Sequence, residues 1–188
     1  MEIVNFRFID KNESFIDKNF INWSRPYEWG YVLSALKDNI NSEYSVHNTS
    51  CGNEELHIQF ANSLNNLSSN VFNSDIVDIN LNKEKFKNYF NYNILSKNKN
   101  KYDVVLCIST LEHLPGIDDA KIAFNNLLEQ VNDDGRLIIT YDYPCIKNEI
   151  FEEILNKKIE IPSNILNGDN SIYPSGLKLS IVLIDIKK

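Results

Sequence analysis

Between Tyr102 and Leu114 the chain reads Tyr-Asp-Val-Val-Leu-Cys-Ile-Ser-Thr-Leu-Glu-His-Leu, and that order leaves few folds open. The apolar run Val104–Ile108 is too short for an ordinary helix and is rich in strand formers. A strand that is apolar at every position, and not at every second one, is covered on both faces, as inside a parallel sheet. The run stops at Ser109, Thr110, Glu112 and His113. Ligands of open α/β sheets bind at the carboxyl ends of the strands, so these polar residues stand where chemistry is expected.

The rest of the chain alternates strands with helices. Ser24 and Pro26 form a helix start, a cap residue followed by a proline in the first turn, and Trp29, Val32, Leu33 and Leu36 then share one face. Glu43–Thr49 is a short strand, broken at Ser50-Cys51-Gly52-Asn53. From Glu54 the pattern turns helical, with Leu56, Phe60 and Leu64 on one side. Val71–Ser74, ending at Asp75, gives a second strand and Tyr89–Leu95 a weak third. Val104–Ile108 comes fourth and Arg136–Asp142 fifth. Before the fifth strand, Ala120, Ala123, Phe124, Leu127, Leu128 and Val131 mark a helix, with Asp118 and Asp119 favouring its N-terminus. Ile150, Phe151, Ile154 and Leu155 suggest one more helix, and Leu177–Ile186 a last strand at the far side of the sheet. This alternation predicts an α/β fold, Rossmann-like: a mostly parallel sheet with helices on both faces, in a single domain. Residues 1–23 read as an irregular N-terminal segment and residues 24–188 as the domain.

Composition narrows the function classes. The 188 residues are 43% apolar and 24% charged, enough for one real core and too apolar for wholesale disorder. A formal charge of −7 argues against nucleic acid as a partner, since displacing counterions from phosphates needs a basic surface. The Lys-Asn run from Lys97 to Lys101 reads as a solvated loop. No apolar run approaches a membrane span, and Met1-Glu2-Ile3 lacks the basic start of a signal peptide. Cys51, Cys107 and Cys145 are odd in number and lack C-x-x-C spacing, which fits a reducing cytoplasm. His47, Cys51 and His57 match no common zinc spacing, so no metal is expected. A Gly-x-Ser-x-Gly elbow and a phosphate loop ending in Gly-Lys-Ser/Thr are both missing from the sequence.

The strand, glycine turn and helix around Gly52 form the first unit of a nucleotide-binding fold, in which helix N-terminal N–H groups and a close backbone hold the ligand. Ser50 suits such a turn if its dihedrals are ordinary. Asp75, with Asp78 as the alternative, follows at about the separation expected of an acid that accepts two hydrogen bonds from a ribose diol. The same pattern is generic enough to serve a nicotinamide enzyme, but neither a Gly-x-Gly-x-x-Gly turn nor a Tyr-x-x-x-Lys pair accompanies it.

Taken together, the Leu111-Glu112-His113-Leu114 turn after the fourth strand, the Val131–Thr140 run and the Ser24–Trp29 segment resemble class I S-adenosylmethionine-dependent methyltransferases, of the methyltransferase type 11 kind. The likeness runs from about Ser24 to Pro144. His47-Asn48-Thr49-Ser50-Cys51-Gly52 is similar to a variant of the first motif, with Asn48 in place of the acid, Ser50 in place of the first glycine and Glu54 in place of the last. The resemblance implies S-adenosyl-L-methionine as cofactor, held by Asn48, Ser50, Gly52, Asp75, Asn93, Ser109 and Thr110. Asn93 would face the adenine amine, and Ser109 and Thr110 the methionine portion. It implies methylation of a small molecule or glycan precursor, with His113 as a weak candidate for proton transfer, since alignment alone can drive attack on a sulfonium methyl. A pocket for the acceptor is expected from aromatic residues within 1–31 and 141–176. The changed first motif supports an alternative, a non-catalytic binding protein that keeps the fold with a degenerate cofactor site.

Overall fold

The computed structural model describes residues 1–8, 24–37, 40–76, 83–143, 145–156, 158–159 and 180–188. Seven strands, β1 (Glu2–Phe8), β2 (Ser45–Thr49), β3 (Asn70–Asp75), β4 (Tyr89–Asn91), β5 (Tyr102–Ile108), β6 (Val131–Tyr143) and β7 (Ser180–Lys187), make one sheet in the order β1-β7-β6-β5-β2-β3-β4. β5, which carries the apolar run Val104–Ile108, is the middle strand. From β6 to β4 all neighbours are parallel, whereas β7 is antiparallel to both β6 and β1. Four helices, α1 (Arg25–Lys37), α2 (Glu55–Leu67), α3 (Ile117–Glu129) and α4 (Glu149–Leu155), complete the described fold.

Side chains on a strand alternate between its faces, and β5 uses both. Val104, Leu106 and Ile108 pack with Trp29, Val32 and Leu36 of α1 and with Phe60 and Leu64 of α2. Val105 and Cys107 pack on the opposite side with Ala120, Phe124 and Leu127 of α3 and Phe151 of α4. The sheet is thus the middle layer of three, as expected of a strand that is apolar throughout. Burying each of these large side chains stabilises the fold by roughly 1.5–3 kcal/mol.

Three boundaries depart from the sequence reading. Glu2–Phe8 lies in the segment read as irregular and is a strand, pairing Glu2 with Lys187 and Phe8 with Val182. β6 begins at Val131, where the sequence suggests the end of a helix. It meets Tyr102 there, slips register, and resumes with Arg136 opposite Val104. β4 stops at Asn91, and Asn93 to Ser96 form a turn closed by a 2.8 Å hydrogen bond from Ser96 N to the Asn93 carbonyl. Asp78 and Leu177–Leu179 lie outside the described residues.

Candidate active site

Because β2, β3, β5 and β6 are parallel, their carboxyl ends share one edge of the sheet, which carries Thr49, Asp75, Ile108 and Tyr143. Strand order reverses between β2 and β5, the place where open sheets of this kind leave a ligand crevice.

The turn after β2 is stitched to the end of β3. Cys51 N donates to the Ser74 carbonyl at 2.9 Å, and Gly52 N donates to Asp75 Oδ2 at 2.8 Å. Asp75 Oδ1 accepts from Ile76 N at 2.7 Å. Two of the roughly four acceptor positions of this half-buried carboxylate are therefore used. Gly52 has φ +72°, and a Cβ there would stand 2.2 Å from His57 Cδ2. The His57 ring is packed over the glycine, edge-on to Trp29 at 5.3 Å, and its Nδ1 accepts from Glu54 N at 3.3 Å. Burial and the nearby charge of Arg25 push the His57 imidazole down to about 4. Ser50 does not have ordinary dihedrals: its φ is +50°, in the left-handed region that glycine tolerates best.

Other expected residues take up structural partners. Asn48 is buried and donates through Nδ2 to Asn73 Oδ1 at 3.0 Å, tying β2 to β3. Asn93 is exposed, and its side-chain carbonyl already accepts from Leu95 N at 2.9 Å. Thr110 Oγ1 donates to the Ile108 carbonyl at 3.0 Å. His47 is in the core, with Nδ1 2.9 Å from Gln130 and Nε2 2.8 Å from Ser74. Cys51 and Cys107 are buried free thiols, each pushed up to about 12 chiefly by burial.

The end of β5 holds a denser network. Ser109, with φ +38°, donates from Oγ to Glu28 Oε2 at 2.6 Å, and Thr140 Oγ1 donates to the same oxygen. Arg25 donates from Nη1 to the Ile108 carbonyl at 2.7 Å and from Nη2 to the Ser109 carbonyl at 3.3 Å. It stands 3.8 Å from Glu28. Glu28 has no solvent exposure. In the Glu-His pair that follows, His113 is exposed and Glu112 turns inward, with both carboxyl oxygens buried. Burial, reinforced by Glu28 and Asp142, pushes the Glu112 carboxyl up to about 8. Glu28 and Thr140 were not expected from the sequence. Trp29 and Tyr141, within the segments expected to line an acceptor pocket, are core residues instead.

No protein-family model matches the chain, and no curated protein matches it significantly in sequence. Solved structures do. The N-methyltransferase NodS from Bradyrhizobium japonicum WM9, in complex with S-adenosyl-L-homocysteine, is 10% identical over 84% of each chain, with a TM-score of 0.58. A TehB-like SAM-dependent methyltransferase from Corynebacterium glutamicum is 15% identical, covering 83% of this chain and 87% of its own, with a TM-score of 0.56. The cyclase SpnF is 8% identical, over 94% and 86%, with a TM-score of 0.59. At such identities the likeness is one of fold: the chain has the Rossmann-like fold of class I S-adenosylmethionine-dependent methyltransferases. One of the proteins that share it is a cyclase, so the fold does not fix the reaction.

Proposed function

We propose that the protein is an S-adenosylmethionine-dependent methyltransferase acting on a small molecule or a glycan precursor in the cytoplasm. The observation that carries this reading is the Asp75 carboxylate, held at the end of β3 by the Gly52 and Ile76 N–H groups with acceptor positions to spare. Such a carboxylate fits a ribose diol. Gly52 and Asp75 would hold the nucleoside part. Arg25, Ser109 and Thr110, at the end of β5, would lie toward the methionine part. The cofactor supplies an electrophilic methyl group on a positive sulfur. The chain's own contribution is to align the acceptor with that methyl group and to exclude water. Solved neighbours include a sugar N-methyltransferase, KedS8, which supports a small acceptor. No helix among the described residues is long and apolar enough to cross a membrane.

A second reading, a binding protein with a degenerate cofactor site, draws on the His57 ring packed over Gly52, where backbone approach to a ligand is otherwise closest. Titration calorimetry with S-adenosylmethionine separates the two. The enzyme reading expects binding that weakens when Asp75 becomes alanine. No heat at millimolar cofactor, from protein shown to be folded, overturns it.

A further inference from the structure

We propose that Glu28 is a positioning residue: from the first turn of α1 it fixes the backbone of Ser109, and with it the course of the chain at the methionine end of the cofactor site. This deepens the methyltransferase reading and rests on it. Ser109 follows the last residue of β5, at the carboxyl edge of the sheet, and its φ of +38° is disfavoured for any residue with a Cβ. Such a conformation persists only where the surroundings over-determine it, and it is commonest at ligand sites.

The surroundings of Ser109 do so through a closed ring of hydrogen bonds. Ser109 Oγ donates to Glu28 Oε2 at 2.6 Å. Ser109 N donates at 3.0 Å to Thr140 Oγ1, and Thr140 Oγ1 donates in turn to the same Glu28 oxygen. The N–H and the side chain of Ser109 stand at the two ends of its N–Cα bond. Tying both to one carboxylate oxygen fixes the torsion about that bond. Arg25, three residues before Glu28 and 3.8 Å from it, holds the Ile108 and Ser109 carbonyls at 2.7 and 3.3 Å. Every polar group of Ser109 is thus engaged, and the two α1 side chains act together on it. Because its hydroxyl is buried and committed to Glu28, Ser109 shapes the site through its backbone. Stability alone is a poor reason for an acid at position 28. Its Oε1 is buried without a hydrogen-bond partner, and a desolvated carboxylate with an idle oxygen carries a cost that an apolar side chain avoids.

Calorimetry with S-adenosylhomocysteine, run below the melting temperature of each protein, tests the assignment. Glu28→Ala is expected to weaken binding at least about tenfold, and Glu28→Gln, which keeps an acceptor oxygen, by less than about threefold. Adding Ser109→Gly to Glu28→Ala is expected to recover at least about threefold, since glycine reaches a positive φ without help. A merely structural Glu28 would lower the melting temperature and leave the affinity of the folded protein unchanged, with nothing for glycine to recover. Either result, full affinity in Glu28→Ala or a loss that Ser109→Gly does not lessen, overturns the proposal. Should Glu28→Ala fail to fold, Thr140→Val opens the same ring from its other side, and unchanged affinity in that variant overturns it equally. Wild-type protein that binds no S-adenosylhomocysteine sinks the methyltransferase reading. Hydrogen exchange at the Ser109–Leu111 amides, measured without ligand, still decides whether Glu28 holds this backbone: faster exchange in Glu28→Ala, with Leu137–Tyr141 still protected, is expected, and equal exchange overturns it.

Discussion

Asp75 Oδ2 accepts the Gly52 N–H at 2.8 Å, joining the glycine turn after β2 to the acid at the end of β3. The same side chain therefore shapes the turn and is the one proposed to meet the ribose. Asp75→Ala is expected to cost about 1.5–3 kcal/mol of stability, the range for hydrogen bonds to a charged group, and to weaken cofactor binding as well. Urea denaturation reads the first effect and calorimetry the second. A variant with both unchanged contradicts the assignment.

Gly52 is constrained twice. Its φ of +72° disfavours a side chain, and a Cβ would stand 2.2 Å from His57. Gly52→Ala is expected to destabilise by more than about 1 kcal/mol. His57→Ala in the same chain should recover the steric part and leave the backbone part. A double-mutant cycle measures the difference, and strict additivity would show that the ring does not press on this site.

His47 sets a pH dependence whose sign is fixed by its burial. Its imidazole is pushed down to about 4 by burial, although its bond to Gln130 acts the other way. The unfolded chain, with an ordinary histidine near 6.5, therefore binds the proton more readily between pH 6.5 and pH 4. The stability that His47 contributes is fully present above about 6.5 and is lost as pH falls through 4, by about 3 kcal/mol in all. Glu112 acts in the opposite direction between its ordinary carboxyl range and about 8, so the slope should be read as wild type minus His47→Gln. Denaturation midpoints at steps from pH 7 to pH 4 provide it. Parallel curves for the two proteins would contradict the assignment.

Arg136 and Asp185 join β6 to β7, with Nε 3.1 Å from Oδ1 and Nη2 paired with Oδ2. Asp185 is 1% exposed. Arg136→Ala strands a buried carboxylate and is expected to cost about 3–5 kcal/mol. Replacing both residues together, as Arg136→Met with Asp185→Leu, should recover most of that loss. Guanidinium melts of the single and double variants decide it.

The sequence is most legible where structure is local. β5 declares itself through five successive apolar residues, and α3 through a clean 3.6-residue period, because each pattern is set by neighbours along the chain. Gly52 and Asp75 stand out as candidates for the same reason, through the order strand, glycine, helix, acid. β1 was missed although Val4, Phe6 and Phe8 alternate with Asn5 and Arg7. So short a run, bounded by Asp10 and Asn12 on one side only, reads weakly beside the scattered aromatics that follow. Glu28 was not legible at all. It sits between Tyr27 and Trp29 on an ordinary helix, and its partner Thr140 is 112 residues away. Only the packing of α1 against the ends of β5 and β6 brings them together. The Glu-His pair was seen, but which member turns inward depends on the 3-10 turn at Leu111–His113 and not on residue type.

The pairing of β1 with β7 bears on how the chain acquires its structure. Glu2 lies opposite Lys187, so β1 has its partner about 185 residues along the chain. Neither edge of that ladder can form early, since the entropy of closing so long a loop is spent before any contact rewards it. The five parallel strands and their helices can assemble first. The zipping of β1 onto β7 is then the natural late event in refolding, and a stopped-flow trace should contain a slow phase that is lost when residues 1–8 are deleted.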